Sequence, residues 1–155
     1  MTPHRIALIP GDGIGAPVTD AALAVAQKAA PGRIETTAFD WSCETYLATG
    51  RMMPEDGIET LRGFDAIFLG AVGWPAKVPD SVSLHGLLLP IRKAFVQYAN
   101  IRPHRLLPGV EGPLRKGGFD ILCIRENTEG EYSGAGGRVH VGTADEVAVE
   151  TAIFT

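Results

Sequence analysis

Three arginines and a tyrosine carry the most specific chemistry in the sequence. Arg92 lies in Leu89-Pro90-Ile91-Arg92, Arg102 in Asn100-Ile101-Arg102-Pro103, and Arg125 ends the apolar run Phe119 to Ile124. An arginine closing a buried strand is costly to desolvate without an anionic partner. Guanidinium forks pair bidentately with carboxylates, so several converging ones suit a dicarboxylic acid. Each could equally be a surface arginine or one side of an internal ion pair; Arg92, with Lys93 beside it, fits the surface reading better than Arg125 does. Tyr132 sits in the polar, glycine-rich stretch Thr128 to Gly134. A tyrosine there is either an exposed loop residue or, beside cations, a general acid.

The turn Pro10-Gly11-Asp12-Gly13-Ile14-Gly15 follows an apolar run and precedes an alanine-rich one. Glycines in that place let the backbone turn tightly and aim free N–H groups at an anion. The dinucleotide fingerprint G-x-G-x-x-G fails here, with glycines at 11, 13 and 15 and alanine at 16. A plain strand-to-helix connection is the simpler reading. Trp74-Pro75 after Gly73 could form a flat apolar wall for a ring, or anchor a loop. His85 precedes a helix, and His4, His104 and His140 are scattered; none has metal-ligand spacing, so no metal site is read in this chain. Glu55-Asp56, Glu126 and Glu129 read as solvated. Cys43 and Cys123 stand outside any metal or redox spacing and read as small buried hydrophobes in a reducing compartment.

The elements that must position these residues alternate. Strands are expected at Arg5 to Ile9, Arg33 to Phe39, Asp65 to Val72, Asn100 to Leu107 and Phe119 to Arg125. Helices are expected from about Ala16 to Ala29, with Val18, Ala21, Ala22, Val25 and Ala29 on the buried face, at Ser42 to Ala48 and at Pro54 to Arg62. A further helix is expected from about Leu87 to Tyr98, with Pro90 in its first turn because deeper inside it would break the ladder. Val139 and Val141 on one arm, and Val147, Val149, Thr151 and Ile153 on the other, read as a terminal β-hairpin around Gly142 to Asp145. Its open edge wants a partner strand or a second subunit. The alternation argues for an α/β fold with a substantially parallel sheet.

The 155 residues bound one domain more comfortably than two. A hydrophobic share of 45% with 21% charged residues is that of a globular chain. A net charge of −4 without any basic run gives no reason to expect nucleic acid. No stretch approaches a membrane span or a signal-peptide core, so no membrane association and a cytoplasmic location are expected.

Taken together, five ordered motifs resemble the isocitrate/isopropylmalate dehydrogenase family of β-decarboxylating dehydrogenases. They are PGDGIG at Pro10–Gly15, GAVGWP at Gly70–Pro75, SLHGLLLPIR at Ser83–Arg92, NIRP at Asn100–Pro103 and IRENTEGEYSG at Ile124–Gly134. GAVGWP followed by Val78-Pro79-Asp80 and the SLxGLL pattern is most similar to the tartrate/D-malate branch. The resemblance implies a non-Rossmann isopropylmalate dehydrogenase-like fold, a mixed, largely parallel sheet flanked by helices. Residues 1–107 would form the first-domain half, and 108–155 the start of the second domain and the dimer arm. It implies NAD-dependent oxidation and decarboxylation of a small 2-hydroxy dicarboxylate with Mg2+ or Mn2+. Arg92, Arg102 and Arg125 would hold the substrate carboxylates, and Tyr132 would protonate the enol left after loss of carbon dioxide. Ile14, Ala71, Val72, Gly73, Trp74 and His85 would face the nicotinamide end of NAD. The lysine base, the metal ligands and the adenosine-holding loop are implied outside this stretch, and the hairpin implies a homodimer. His85 departs from the tryptophan of the tartrate branch and the glutamate of the isopropylmalate branch. Two other readings stay open: a 3-isopropylmalate dehydrogenase, with a bulkier apolar pocket around Leu88 and Leu89, and a non-catalytic dicarboxylate-binding or subunit-pairing module.

Overall fold

The structure, a computed structural model, describes residues 2–114 and 118–155; positions 115–117, within the span 108–155, lie outside the described residues. The chain divides into two compact units, Met1–Ile91 and Arg92–Thr155.

The first unit is built on a parallel sheet. Strands β1 (His4–Gly11), β2 (Ile34–Ala38) and β3 (Ala66–Ala71) run in the order β2-β1-β3, with Leu8 opposite Ala38 on one side and Phe68 on the other. The unbroken apolar run Ala7, Leu8, Ile9 is buried throughout, as a central strand covered on both faces requires. Helix α1 (Gly15–Ala29) connects β1 to β2, and the short helices α2 (Cys43–Thr49) and α3 (Gly57–Leu61) lead to β3. Backbones approach closely where α1 leaves β1. A Cβ at Gly15 would lie 2.1 Å from the Pro10 carbonyl oxygen, and one at Gly70 would lie 2.3 Å from the same atom. The core is completed by Trp41, Met52, Leu61, Val78, Leu87, Leu89 and Ile91.

Two sequence expectations are corrected here. The buried stripe of α1 is Gly15 and Thr19, continued by the half-buried Leu23 and Ala26, while Val18 and Val25 are exposed. In an alanine-rich helix several faces are apolar enough to pack, and the Thr19 hydroxyl can be buried because it donates back to the Gly15 and Ala16 carbonyls. The expected helix from Leu87 to Tyr98 instead begins earlier and ends earlier. It runs through α4 (Asp80–Ser83), a π-helical turn at Leu84–Leu88, and α5 (Leu89–Ala94). Pro90 is therefore not in the first turn. The widened π turn relieves the clash that a proline makes with the preceding carbonyls. The helix stops because Val96 adopts a left-handed φ of 50°, and Gln97 N–H then closes onto the Arg92 carbonyl at 2.9 Å.

The second unit contains two antiparallel ribbons: β4 (Ala99–Arg105) with β5 (Asp120–Glu126), and β6 (Gly130–Val139) with β7 (Val147–Ile153). The fold is thus mixed α/β. Its parallel part is confined to three strands, and β4 and β5 pair with each other rather than extending that sheet. Parallel neighbours need a long crossover, usually helical, whereas antiparallel ones do not. The terminal hairpin forms, but its first arm is Gly130–Val139, so the expected arm residue Val141 lies in the turn. Among the described residues, no helix is long and apolar enough to cross a membrane.

Candidate active site

In the order β2-β1-β3 the loops that follow β1 and β3 leave neighbouring ends of two paired parallel strands. Ligands of open α/β sheets bind in the crevice beyond the strand ends. The loops that flank it are the glycine turn after β1 and Gly73-Trp74 after β3. A cleft of about 550 Å³ lies there, lined by Gly11, Asp12, Gly13, Ala16, Glu44, Gly73 and Trp74. The two loops are joined by hydrogen bonds. Asp12 N–H donates to the Ala71 carbonyl at 2.6 Å, and Gly73 N–H donates to Asp12 Oδ2 at 2.9 Å. Ile14, at the N-cap of α1, exposes 71% of its surface. Trp74 is half-buried, with the Lys77 ammonium 4.0 Å from its ring centroid. Ile14, Ala71, Val72, Gly73 and Trp74 therefore belong to one pair of joined loops. His85 is exposed on the π turn, and among the described residues no hydrogen bond ties it to those loops. Leu89 is buried in the core, which leaves only Leu88 of the expected apolar pair outside it.

The arginines gather in the second unit. The Arg92 and Arg125 guanidinium carbons lie 6.0 and 5.3 Å from the centroid of the Tyr132 ring, and Arg125 Nη2 donates to the Tyr132 hydroxyl oxygen. In the β4–β5 register Asn100 stands opposite Arg125, and Arg102 opposite Cys123. Residues directly opposed, and those two apart along a strand, share a face. Arg102 and Arg125 are therefore on one face of the ribbon, and Ile101, Leu122 and Ile124 are on the other. Arg102 Nε donates to Asn100 Oδ1 at 2.9 Å. Among the described residues, ion pairs engage Arg51, Arg62, Arg105 and Arg138, and none engages Arg92, Arg102 or Arg125. Two guanidinium groups thus pack against one phenol, a third shares the ribbon face of Arg125, and among the described residues none of the three has a carboxylate partner.

A family model described as isocitrate/isopropylmalate dehydrogenase matches residues 5–155. The chain belongs to that family. It is 51% identical over 162 aligned residues to a probable tartrate dehydrogenase/decarboxylase of Agrobacterium vitis, and 50% identical over 162 to a D-malate dehydrogenase [decarboxylating] of Escherichia coli (strain K12). In both comparisons all of this chain is matched, to 45% of the relative. The chain thus spans a little under half the length of these relatives. Isocitrate dehydrogenase from Methylococcus capsulatus superposes with a TM-score of 0.78 at 26% identity, covering 98% of this chain and 43% of that one.

In this isocitrate/isopropylmalate dehydrogenase chain, two functional placements escaped sequence reasoning. Asp12, 8% exposed, accepts the Cys43 N–H with Oδ1 at 2.9 Å as well as the Gly73 N–H. A carboxylate inside a glycine turn was the available signal, because a loop built to receive an anion has no use for one. Glu126 is exposed, but it is not merely solvated. Its carboxylate accepts Thr128 N–H at 2.8 Å and Glu129 N–H at 3.0 Å, which pins the turn leading into β6, the strand of Tyr132. The Glu129 amide above all holds that carboxyl below the usual carboxylate range. The cysteines also divide, Cys43 being buried and Cys123 exposed on the arginine face of β5. Burial, and then the neighbouring Asp12 carboxylate, pushes the Cys43 thiol up to about 11. Among the described residues, no group of three or more His, Cys, Asp or Glu side chains could hold a metal ion.

Proposed function

We propose that this chain forms the dicarboxylate-recognising, proton-donating part of an NAD-dependent, metal-assisted dehydrogenase that oxidises and decarboxylates tartrate or D-malate. The observation that carries this reading is the placement of Arg92 and Arg125 against Tyr132 with Arg102 on the same ribbon face as Arg125, all three without carboxylate partners among the described residues. The kinship with relatives named for those two substrates supports it.

Arg92, Arg102 and Arg125 would neutralise and orient the two carboxylates of the substrate. The cleft lined by Gly13 and Trp74 would hold the nicotinamide of NAD, which would supply the hydride acceptor for oxidation of C2 to a ketone, the hydroxyl proton passing to the base that the family resemblance implies elsewhere. The carboxylate beta to that ketone would then leave as carbon dioxide, the electron pair of the broken C–C bond forming an enolate. Tyr132 would return a proton to the carbon that lost the carboxylate. Because its oxygen already accepts from Arg125, the phenolic proton is free to point at substrate. The described residues do not fit a divalent ion, so its ligands are placed outside this chain and none of the steps above is assigned to it.

Calorimetric titration with D-malate and tartrate tests the recognition. Arg125→Ala should weaken binding roughly 10- to 100-fold, the loss expected when a charge-assisted hydrogen bond worth about 1.5–3 kcal/mol is removed. Unchanged affinity in Arg125→Ala would remove the basis of the reading. Absorbance at 340 nm with NAD and Mn2+ then separates turnover from binding, and 3-isopropylmalate serves as the competing substrate. A non-catalytic dicarboxylate-binding module is the second reading, favoured by one observation: the three arginines and Tyr132 all lie within Arg92–Thr155. Binding without any 340 nm signal would select it.

A further inference from the structure

We infer that Asp12 is a positioning residue whose carboxylate fixes the separation between the glycine turn and the Gly73-Trp74 loop, and with it the seat offered to a nicotinamide ring. The statement about the ring rests on the dehydrogenase reading above; the statement about the loops does not.

The carboxylate is almost wholly buried, and no cation pairs with it among the described residues. Its charge is met by backbone N–H groups, one on each oxygen: Cys43 on Oδ1 and Gly73 on Oδ2, both at 2.9 Å. Those donors are 31 and 61 residues away in the chain, so one side chain joins three segments that share no sequence neighbourhood. Each segment contributes to the cleft wall. The turn brings Gly11 to Gly13, the start of α2 brings Glu44, and the loop after β3 brings Gly73 and Trp74.

Gly73 contributes no side-chain packing of its own. Gly73 has a φ of +136°, and a Cβ built there would find nothing within 4 Å. The other restraints are the Cys43 thiol, which the Gly73 and Trp74 amides also meet, the Ala71 carbonyl, bound by Asp12 N–H, and the Trp74 carbonyl, bound by Lys77 and Val78 N–H within its own turn. Between them the loop is tied across the cleft by the Asp12 carboxylate. Asparagine would be a poor replacement, since it offers one acceptor and turns an NH2 group against the other N–H.

The test uses the 155-residue chain labelled with 15N and compares it with Asp12→Asn. Amide hydrogen exchange at Gly73 should accelerate at least tenfold in the variant, with Ala7 and Leu8 in β1 unchanged. Reduced nicotinamide mononucleotide, titrated against tryptophan fluorescence, should bind at least tenfold more weakly to the variant. Unchanged exchange at Gly73, or equal acceleration in β1, would overturn the positioning role. If the mononucleotide binds neither protein, the nicotinamide reading falls while the exchange data still decide the loops. Should Asp12→Asn fail to fold, scalar couplings across the hydrogen bonds from the Gly73 and Cys43 nitrogens to the Asp12 carboxyl carbon provide the measurement in the unaltered chain. Their absence would overturn the proposal as well.

Discussion

At the scale of single residues, the site works by leaving some charges unsatisfied and satisfying others completely. Among the described residues Arg92, Arg102 and Arg125 have no carboxylate partner, whereas Asp12 has both oxygens occupied by amides. The two cysteines show the same division. Cys123 is exposed and Cys43 is fully buried beside the Asp12 carboxylate. A thiol reagent at neutral pH should therefore modify Cys123 and spare Cys43, as mass spectrometry of the labelled chain would show. The folded Cys43 thiol ionises near 11 against an ordinary value of 9.0. Its proton is held more tightly in the folded state, so its contribution to stability is intact below about 9 and fades as pH rises toward about 11. Labelling of Cys43 at pH 7 at the rate of Cys123 would contradict this burial.

At the scale of elements, Val96 is the clearest point of strain. A β-branched residue in the left-handed region is disfavoured, and here it forms the C-terminal stop of the helix that carries Arg92. Val96→Gly should relieve about 1 kcal/mol, which for a chain of this size raises the thermal midpoint by roughly 2–4 °C. A lowered midpoint in calorimetry would mean that the valine side chain packs more than its 67% exposure suggests. The same helix shows where sequence reasoning stops. The strands were legible because four-to-seven-residue apolar runs bounded by glycine and proline have few other uses. The π turn was not, because Pro90 argues locally for a helix start, and only packing of Leu87, Leu89 and Ile91 into one core overrides it. Arg125 was legible as a charge ending an apolar run, although β5 is exposed rather than buried, whereas Arg92 and Arg102 stood out only within their motifs. Asp12 was illegible because its partners are main-chain amides, which carry no residue-type signature and lie far away in sequence.

At the scale of the molecule, stability and recognition are divided unevenly. Every buried apolar side chain among the described residues belongs to Met1–Ile91, while Arg92–Thr155 exposes Ile101, Leu122, Ile124, Val147 and Phe154. Two-stranded ribbons are marginal in water without such burial. Open edges on β6 and β7 add unpaired backbone groups that attract another chain. We therefore expect the chain to self-associate, in keeping with the homodimer proposed from the family resemblance. Sedimentation velocity should show a species heavier than the 16.5 kDa monomer at micromolar concentration. A single monomeric boundary across the concentration range would count against this.

The π turn at Leu84–Leu88 has one more consequence. It sets the rotational phase between α4, where Ser83 is buried, and the stretch where Leu89 and Ile91 are buried. Each residue of an ordinary helix advances about 100°. A π turn holds about one residue more than an ordinary one. A gene one codon shorter in this window would close into a plain helix with both halves still facing inward, whereas an added codon would swing them apart, so the segment should tolerate loss better than gain.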